Sequence, residues 1–184
     1  MERRSLLGNR RGYSLGELLW VIVILSIIAG LALPRLDWLR YRLNAETRNV
    51  SLQLSYAQRL AVSLQHNVQV TIDHGNRRLV VDEDANNDGV FSVGERRRIV
   101  QLDDGINFEQ VTAPSLPAPS PTNELTLIVF RRDGSADQNG VIYMNTNRAV
   151  NRNSATDARA LEIVRATGRA YQYKYTSVGW LKEN

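Results

Sequence analysis

A long apolar stretch with a single carboxylate at its start constrains the fold of this chain more than any other feature. Residues 18–33 are apolar apart from Ser26, and Glu17 stands directly before them. As a helix, residues 13–33 would cover roughly 30 Å, the thickness of the hydrocarbon core of a bilayer. A charged side chain deep in lipid costs roughly 2.5–3.5 kcal/mol or more. Glu17 is therefore expected to have a specific partner or role.

The residues before the apolar stretch are basic and leave three interpretations open. Four arginines precede it, at positions 3, 4, 10 and 11. By the positive-inside rule they keep the N-terminus in the cytoplasm while the rest of the chain is exported. The segment is then a secretory signal peptide cut after the apolar run, a plain signal anchor, or a signal cut on the cytoplasmic side after Gly12. Glu17 within the apolar region argues against the first.

The motif Arg-Arg-Gly followed by Tyr-Ser-Leu-x-Glu resembles the prepilin cleavage signature of type IV pilins and type II secretion pseudopilins. The resemblance implies that a prepilin peptidase cuts between Gly12 and Tyr13 and methylates the new N-terminus at Tyr13. It also implies that Glu17 and Pro34 are the assembly glutamate and the helix-kinking proline of that family. The chain departs from the pattern in having Tyr13 in place of the usual Phe and Gly16 in place of an aliphatic residue.

Hydrophobic periodicity predicts an α+β fold. Apolar residues continue at helical spacing beyond Pro34 to about residue 64, so one long helix is predicted over 15–64. After it the period changes to two, which indicates strands. The fold class is therefore a long N-terminal α-helix, membrane-spanning in its first half and packed by its second half on an antiparallel β-sheet. The predicted domains are a leader (1–12), a transmembrane or filament-core helix (13–34) and an exported pilin-like domain (35–184).

The strand predictions follow the turn residues between apolar runs. They comprise a hairpin of 68–72 with 78–81, strands at 98–102 and 106–111, a hairpin of 125–130 with 141–144, and a last hairpin of 160–164 with 170–175. Residues 113–121 and 145–157 are predicted to be loops. This order resembles GspH/FimT-type minor pilins and pseudopilins, strongly over residues 10–60 and more loosely over 68–176.

An acidic loop at residues 84–95 matches a twelve-residue calcium-binding loop position by position. The side chains or carbonyls at the ligand positions are those of Asp84, Asn86, Asp88, Val90, Ser92 and Glu95. Calcium prefers six to eight oxygen ligands, and Gly89 occupies the position where such a loop turns sharply. The flanking segments are strand-like, so a helix–loop–helix unit is excluded. A metal-free turn built from Asn, Asp and Gly stays open as the alternative.

The last predicted hairpin mixes basic and aromatic residues. Arg165, Arg169, Tyr171 and Lys174 are the candidate DNA contacts, because charge together with base stacking binds single strands. Some FimT-like minor pilins act in DNA uptake, and the family carries basic residues at this place. The competing interpretation is an ordinary strand, since residues 169, 171, 173 and 175 alternate along one face.

Composition excludes several function classes. The chain has no cysteine and only two histidines, His66 and His74, so neither a disulfide framework nor a known zinc site is present. The net charge is +4, and the leader carries +3 of it (four arginines less Glu2), which leaves +1. The basic charge therefore does not itself indicate nucleic-acid binding. No nucleophile–base or phosphate-loop motif is recognisable, so we expect no enzyme.

These observations predict a minor pilin or pseudopilin that helps to initiate or cap a filament. The resemblance implies as partners other pilins or pseudopilins, the prepilin peptidase, the inner-membrane assembly platform and membrane lipid. It places the protein in the inner membrane with a periplasmic domain, and then in the filament. Two alternatives stay open, a DNA-binding minor pilin for natural transformation and a membrane-anchored periplasmic calcium-binding module.

Overall fold

The computed structural model describes residues 12–32, 37–92, 94–110, 113–117 and 120–183. These residues fall into two compact units that divide between Asp37 and Trp38. Each unit is described by itself below. Pro34, the predicted kink, lies outside the described residues.

The first unit is built on the apolar helix α1 (Leu15–Ala32, 18 residues). Ser14 caps its start, because the Glu17 N–H donates to Ser14 Oγ at 3.1 Å and the Leu18 N–H donates to Ser14 O at 3.2 Å. The polar Ser26 is accommodated by donating its hydroxyl to Ile22 O at 2.8 Å. Every large apolar side chain from Leu15 to Ile28 is at least 39% exposed. The helix is thus apolar on all sides.

The predicted membrane-spanning helix of residues 13–34 is not confirmed. Helix α1 begins at Leu15, because Gly12, Tyr13 and Ser14 are not helical. Among the residues that the structure describes, no helix is both long enough and apolar enough to cross a membrane. The prediction of one helix over 15–64 is replaced by two described helices.

Among its described residues, the second unit contains the helix α2 and nine strands. Its long helix is α2 (Trp38–Leu64), and its short helical pieces are α3 (Asn147–Asn151) and a 3-10 turn (Ala155–Asp157). Its strands are β1 (Val68–Asp73), β2 (Arg78–Glu83), β3 (Arg97–Gln101), β4 (Ile106–Phe108), β5 (Leu127–Phe130), β6 (Gly140–Thr146), β7 (Arg159–Val164), β8 (Arg169–Thr176) and β9 (Gly179–Glu183). The predicted α+β class is confirmed.

The strands form two sheets. One has the order β3-β2-β1-β5 and the other β4-β6-β7-β8-β9, and every strand pairing is antiparallel. Helix α2 contacts strands of both sheets. Its buried side chains recur at helical spacing and are Leu43, Thr47, Val50, Leu54, Ala57 and Ala61. All of them except Thr47 join the inward residues of both sheets in one hydrophobic core.

Three strand predictions need correction. The segments 125–130 and 141–144 are not a hairpin, since β5 pairs with β1 while β6 pairs with β4 and β7. The turn at Asp133–Gly134 reverses the chain locally, but β5 before it and β6 after it belong to different sheets. The predicted loop 145–157 contains the end of β6, α3 and the 3-10 turn, and β9 was not predicted at all.

Gln58 on α2 ties two turns to the helix. Its Nε2 donates to Gly134 O at 2.7 Å and to Thr167 O at 2.6 Å. The second turn contains Gly168, which is buried and has a φ of +62°. A Cβ at this glycine would collide with the Gly134 carbonyl and with the Gln58 amide. The β7–β8 turn therefore requires glycine for two reasons, backbone conformation and space.

We expect Gly168→Ala to lower the free energy of unfolding by about 1–3 kcal/mol, because it combines a left-handed backbone with a steric clash. Urea unfolding of the chain in detergent, followed by tryptophan fluorescence, measures this. The matched control is Gly75→Ala, where an added Cβ would meet only Asp73 Oδ1, at 3.8 Å. Equal unfolding midpoints for the two variants would show that the turn does not require glycine at position 168.

Candidate functional site

The segment around the predicted cleavage site is exposed and non-helical. Gly12 has no atom within 4 Å of the place where a Cβ would stand, and Tyr13 is 84% exposed. Helix α1 begins only at Leu15. The peptide bond between Gly12 and Tyr13 is therefore in the kind of segment that a protease can bind in extended form.

Glu17 lies in the first turn of α1. A carboxylate there is favoured by the positive end of the helix macrodipole. Ser14 Oγ accepts the Glu17 backbone N–H, a contact that does not involve the carboxylate. In the described part of this unit, no cationic side chain pairs with Glu17. Its charge thus stands at the head of a helix whose other side chains are almost all apolar.

The acidic loop is folded by its own side chains. Asp84 is fully buried, and its two carboxylate oxygens accept the N–H groups of Asp88 and Gly89, each at 3.1 Å. Glu95 closes the other end by accepting the N–H groups of Ala85 at 2.9 Å and Ser92 at 2.8 Å. The first and last predicted calcium ligands, Asp84 and Glu95, therefore both accept backbone N–H groups of this loop.

The middle of the loop is held in the same way. Asn86 Oδ1 accepts the Asp88 N–H at 3.0 Å, and Asp88 Oδ1 accepts the Val90 N–H at 2.7 Å. Gly89 has a φ of +79°, as its position at the sharp turn requires. A carboxylate oxygen that accepts one N–H keeps a second lone pair. These hydrogen bonds alone do not distinguish a calcium loop from a metal-free turn.

The arginines after the loop do not neutralise its carboxylates. Arg97 pairs instead with Asp82 at 2.5 Å, Arg96 lies 3.9 Å from Glu83, and Arg98 stacks over the Tyr56 ring at 5.1 Å. No cationic side chain in the described ranges pairs with Asp84, Asp88 or Glu95. Within those same ranges, no three His, Asp or Glu side chains are grouped so as to hold a metal ion. Calcium binding stays a prediction of the sequence.

The predicted DNA contacts are divided between two faces of the last hairpin. In β8, Arg169, Tyr171 and Tyr173 alternate on one face, while Lys174 points to the other. Arg165 belongs to the exposed turn between β7 and β8. Hence Arg169 and Tyr171 share a face, and Lys174 does not join them. DNA binding stays a prediction.

Two of the aromatic rings on this face already have partners. The Lys182 ammonium lies 3.6 Å from the centroid of the Tyr171 ring, which is a cation–π contact. The Tyr173 hydroxyl donates to Glu162 Oε2 at 2.7 Å, and burial together with this carboxylate raises the pKa of Tyr173. Tyr173 and Trp180 also pack on a small cluster around Leu116 and Tyr143. The alternating aromatic residues of β8 therefore serve packing within the domain as well as forming part of its surface.

A cluster of charged residues that the sequence did not predict lies around Asp157. Its carboxylate is fully buried and accepts hydrogen bonds from Arg40 at 3.1 Å, Arg148 at 2.8 Å and Thr146 at 2.9 Å. Burial raises the pKa of Asp157, but these donors outweigh burial and lower the pKa below its usual value. The sequence did not predict a buried role for Asp157, because this residue lies in a polar stretch without hydrophobic periodicity, which is typical of a solvated loop.

Comparisons with known proteins find similarity among solved structures alone. No protein-family model matches the chain, and no curated protein matches it either. A solved structure of the minor pseudopilin EpsH from the type II secretion system of Vibrio cholerae is similar, with 12% identical residues and a TM-score of 0.41, covering 76% of this chain and 94% of that one. A second structure of EpsH has 10% identity and a TM-score of 0.38, with 78% and 94% covered.

We expect millimolar Ca²⁺ to raise the melting temperature of the chain, because an ion that binds the folded loop stabilises it by linkage. Differential scanning fluorimetry in detergent, with and without a chelator, measures the shift. Asp88→Asn removes one carboxylate and should reduce the response.

The matched control is Asp133→Asn, since Asp133 also accepts the N–H of a residue two positions on, in a turn outside the acidic loop. It should respond to calcium as the unmodified chain does. An unchanged melting temperature at millimolar Ca²⁺ would identify residues 84–95 as a metal-free turn.

Proposed function

We propose that this chain is a minor subunit of a type IV pilus or of a type II secretion pseudopilus, made as a precursor and cut after Gly12. The observation that carries the proposal is Glu17 in the first turn of an otherwise apolar helix whose large side chains are exposed on all sides. It has a structural role, that of an assembly subunit that helps to initiate or cap a filament, and not a catalytic one.

The exposed apolar surface of α1 is unfavourable in contact with water and has to be buried against lipid or protein. Burying a large apolar side chain contributes about 1.5–3 kcal/mol, so a helix with eleven exposed side chains of this kind from Leu15 to Ile28 is unstable in water. Lipid covers this surface before assembly, and the helices of neighbouring subunits cover it afterwards. The inner membrane and the filament are therefore the two locations proposed for the chain, with the second unit on the periplasmic side.

The carboxylate of Glu17 is the group on this apolar helix that can pair with a charged group of a neighbouring subunit. Cleavage after Gly12 would create a free amine at Tyr13, four residues before Glu17. In a filament, the Glu17 carboxylate of one subunit can pair with the Tyr13 amine of a neighbour. Such a pair leaves neither charge unpartnered in an apolar environment, whereas loss of one partner leaves the other buried and alone.

The exposed segment at Gly12 fits the processing step. A prepilin peptidase would cut between Gly12 and Tyr13 and methylate Tyr13, and the arginine-rich leader would hold this end in the cytoplasm. The assembly platform of the inner membrane and other pilins or pseudopilins are the proposed partners.

We expect Gly12→Ala to block or slow removal of the leader, because the peptidase must accommodate the residue before the cut. An immunoblot would then show a precursor that is 12 residues longer than the mature form. The matched control is Gly16→Ala, where a Cβ would meet only Ser14 Oγ, at 3.8 Å, and which should mature normally. A wild-type protein that keeps Arg10 and Arg11 at steady state would refute the proposed cleavage.

We expect Glu17→Gln to leave membrane association intact and to reduce recovery in sheared filaments by about tenfold or more, since the neutral amide cannot form the ion pair. Quantitative immunoblotting of the sheared and membrane fractions measures both quantities. Glu109→Gln, an exposed carboxylate of the second unit, is the control. Equal recovery of Glu17→Gln and the unmodified chain would show that Glu17 is not an assembly contact.

A further inference from the structure

Strand β9 forms an open edge of the five-stranded sheet. Among the described strands it pairs with β8 alone. The Tyr175 N–H donates to Ala158 O, just before β7, at 3.1 Å, so the odd-numbered residues of β8 direct their backbone groups to β7 and the even-numbered ones to β9. The partners of those even-numbered residues are the odd-numbered residues of β9. The backbone N–H and C=O of Trp180 and Lys182 therefore point away from the sheet.

These outward groups are accessible to another strand. In the described part of the chain, no hydrogen bond reaches the backbone N–H or C=O of Trp180 or Lys182 on the open side. A lysine often protects an edge strand by its charge. The Lys182 ammonium, however, lies 3.6 Å from the centroid of the Tyr171 ring and so is directed back over the sheet.

The outer edges of the other terminal strands are less suited to pairing. On β5, the Val129 N–H donates to Asp137 Oδ1 at 3.0 Å, and Leu127 O accepts from Gln138 Nε2 at 2.9 Å, so side chains take the place of a neighbouring strand. Strand β3 begins with two adjacent arginines, and β4 has only three residues. Capped, charged and short edges resist the addition of a strand. Strand β9 has five residues and remains open.

An apolar groove runs beside β9 on the side of the sheet that faces α2. It lies between α2 and the strands β8 and β9, and its volume is about 930 Å³. Leu52 of α2 and Leu181 of β9 line it and are 62% and 60% exposed. Arg48 and Glu183, which carry opposite charges, line it as well. The helix thus leaves the inner side of β9 partly uncovered, and one more strand would cover it.

We propose that β9 pairs with β9 of a second copy of this chain, antiparallel and around a two-fold axis at Leu181. In this register Trp180 of each copy lies opposite Lys182 of the other, and each of these pairs exchanges both N–H···O bonds. The outward backbone groups of both strands are then satisfied. The two five-stranded sheets are joined into one continuous sheet.

The side chains of β9 are compatible with this register, which favours a second copy over an unrelated strand. Lys182 lies opposite Trp180 of the second copy, and Glu183 lies opposite its Gly179. No like charges are therefore directly opposed. The two Leu181 side chains meet at the axis on the side of the groove, and their burial stabilises the pair. This pairing involves the second unit alone and does not depend on the proposed filament role.

The absence of cysteine from the chain makes the register testable. We expect Leu181→Cys, in the full chain with an excess of empty detergent micelles, to form a disulfide-linked dimer on mild oxidation. At the axis the two Cα atoms form a non-hydrogen-bonded pair about 4.5 Å apart, which a disulfide can span. Non-reducing electrophoresis measures the yield.

The matched control is Val178→Cys, which lies in the turn between β8 and β9 and is 96% exposed. In the proposed dimer the two copies of this residue would be about 20 Å apart, which is too far for a disulfide. The yield at position 181 should exceed that at 178 at least fivefold. Equal yields, as association through the apolar helices alone would give, or no dimer at position 181, would overturn the proposal.

A second substitution tests the backbone hydrogen bonds. Lys182→Pro removes an outward N–H and leaves the pairing with β8 intact, because proline is tolerated at such edge positions. Added to Leu181→Cys, it should reduce the disulfide yield at least fivefold, whereas Lys182→Gln should retain it. A yield that Lys182→Pro leaves unchanged would contradict the pairing.

The melting temperature shows whether Lys182→Pro also disturbs the fold. If it does, Leu181→Glu decides, because it places two carboxylates opposite each other at the axis. Sedimentation equilibrium should then show association about fivefold weaker than for Leu181→Gln, which has a similar size and no charge. Equal association of these two variants would overturn the proposal.

Discussion

One stripe of side chains along α2 holds the second unit together. Leu43, Val50, Leu54, Ala57 and Ala61 are all fully buried, and they meet the inward residues of two separate sheets. Neither sheet closes on itself, so each needs an apolar surface to cover its inner face. The small residues Ala57 and Ala61 stand near the end of the helix where β1 begins. The two sheets are thereby parts of a single core whose common element is the helix.

The two helices use apolar residues in opposite ways, and the proposed function rests on this contrast. Helix α2 confines its apolar residues to one face and is stabilised by its own domain. Helix α1 carries them on every side, and they are exposed. A subunit that must move from lipid to a filament needs a helix that packs equally well in both surroundings. In the proposed filament, Glu17 would distinguish a neighbouring subunit from lipid, since a subunit can offer a counter-charge within apolar surroundings and lipid acyl chains cannot.

The sequence predicted local structure well and strand pairing less well. The hairpin of β1 and β2 follows from alternation of apolar residues around a short turn, and the predicted hairpin of 160–164 with 170–175 is confirmed because local chemistry decides its turn. The supposed hairpin of β5 and β6 failed since pairing there depends on which sheet each strand joins. Within the candidate sites, the acidic loop was predictable from spacing alone. The cluster at Asp157 was not, because its members come from α2, α3 and the 3-10 turn.

Polar and charged residues that the sequence did not predict hold the N-terminal part of α2 against the rest of the second unit. A buried, charged arginine such as Arg159 costs several kcal/mol to desolvate, and an apolar residue of similar size would often be more stable there. Its hydrogen bonds to Asn44 join β7 to the N-terminal part of α2, while Arg40 joins the same part of α2 to Asp157. The helix is thus fixed near the point where the chain leaves for the apolar segment.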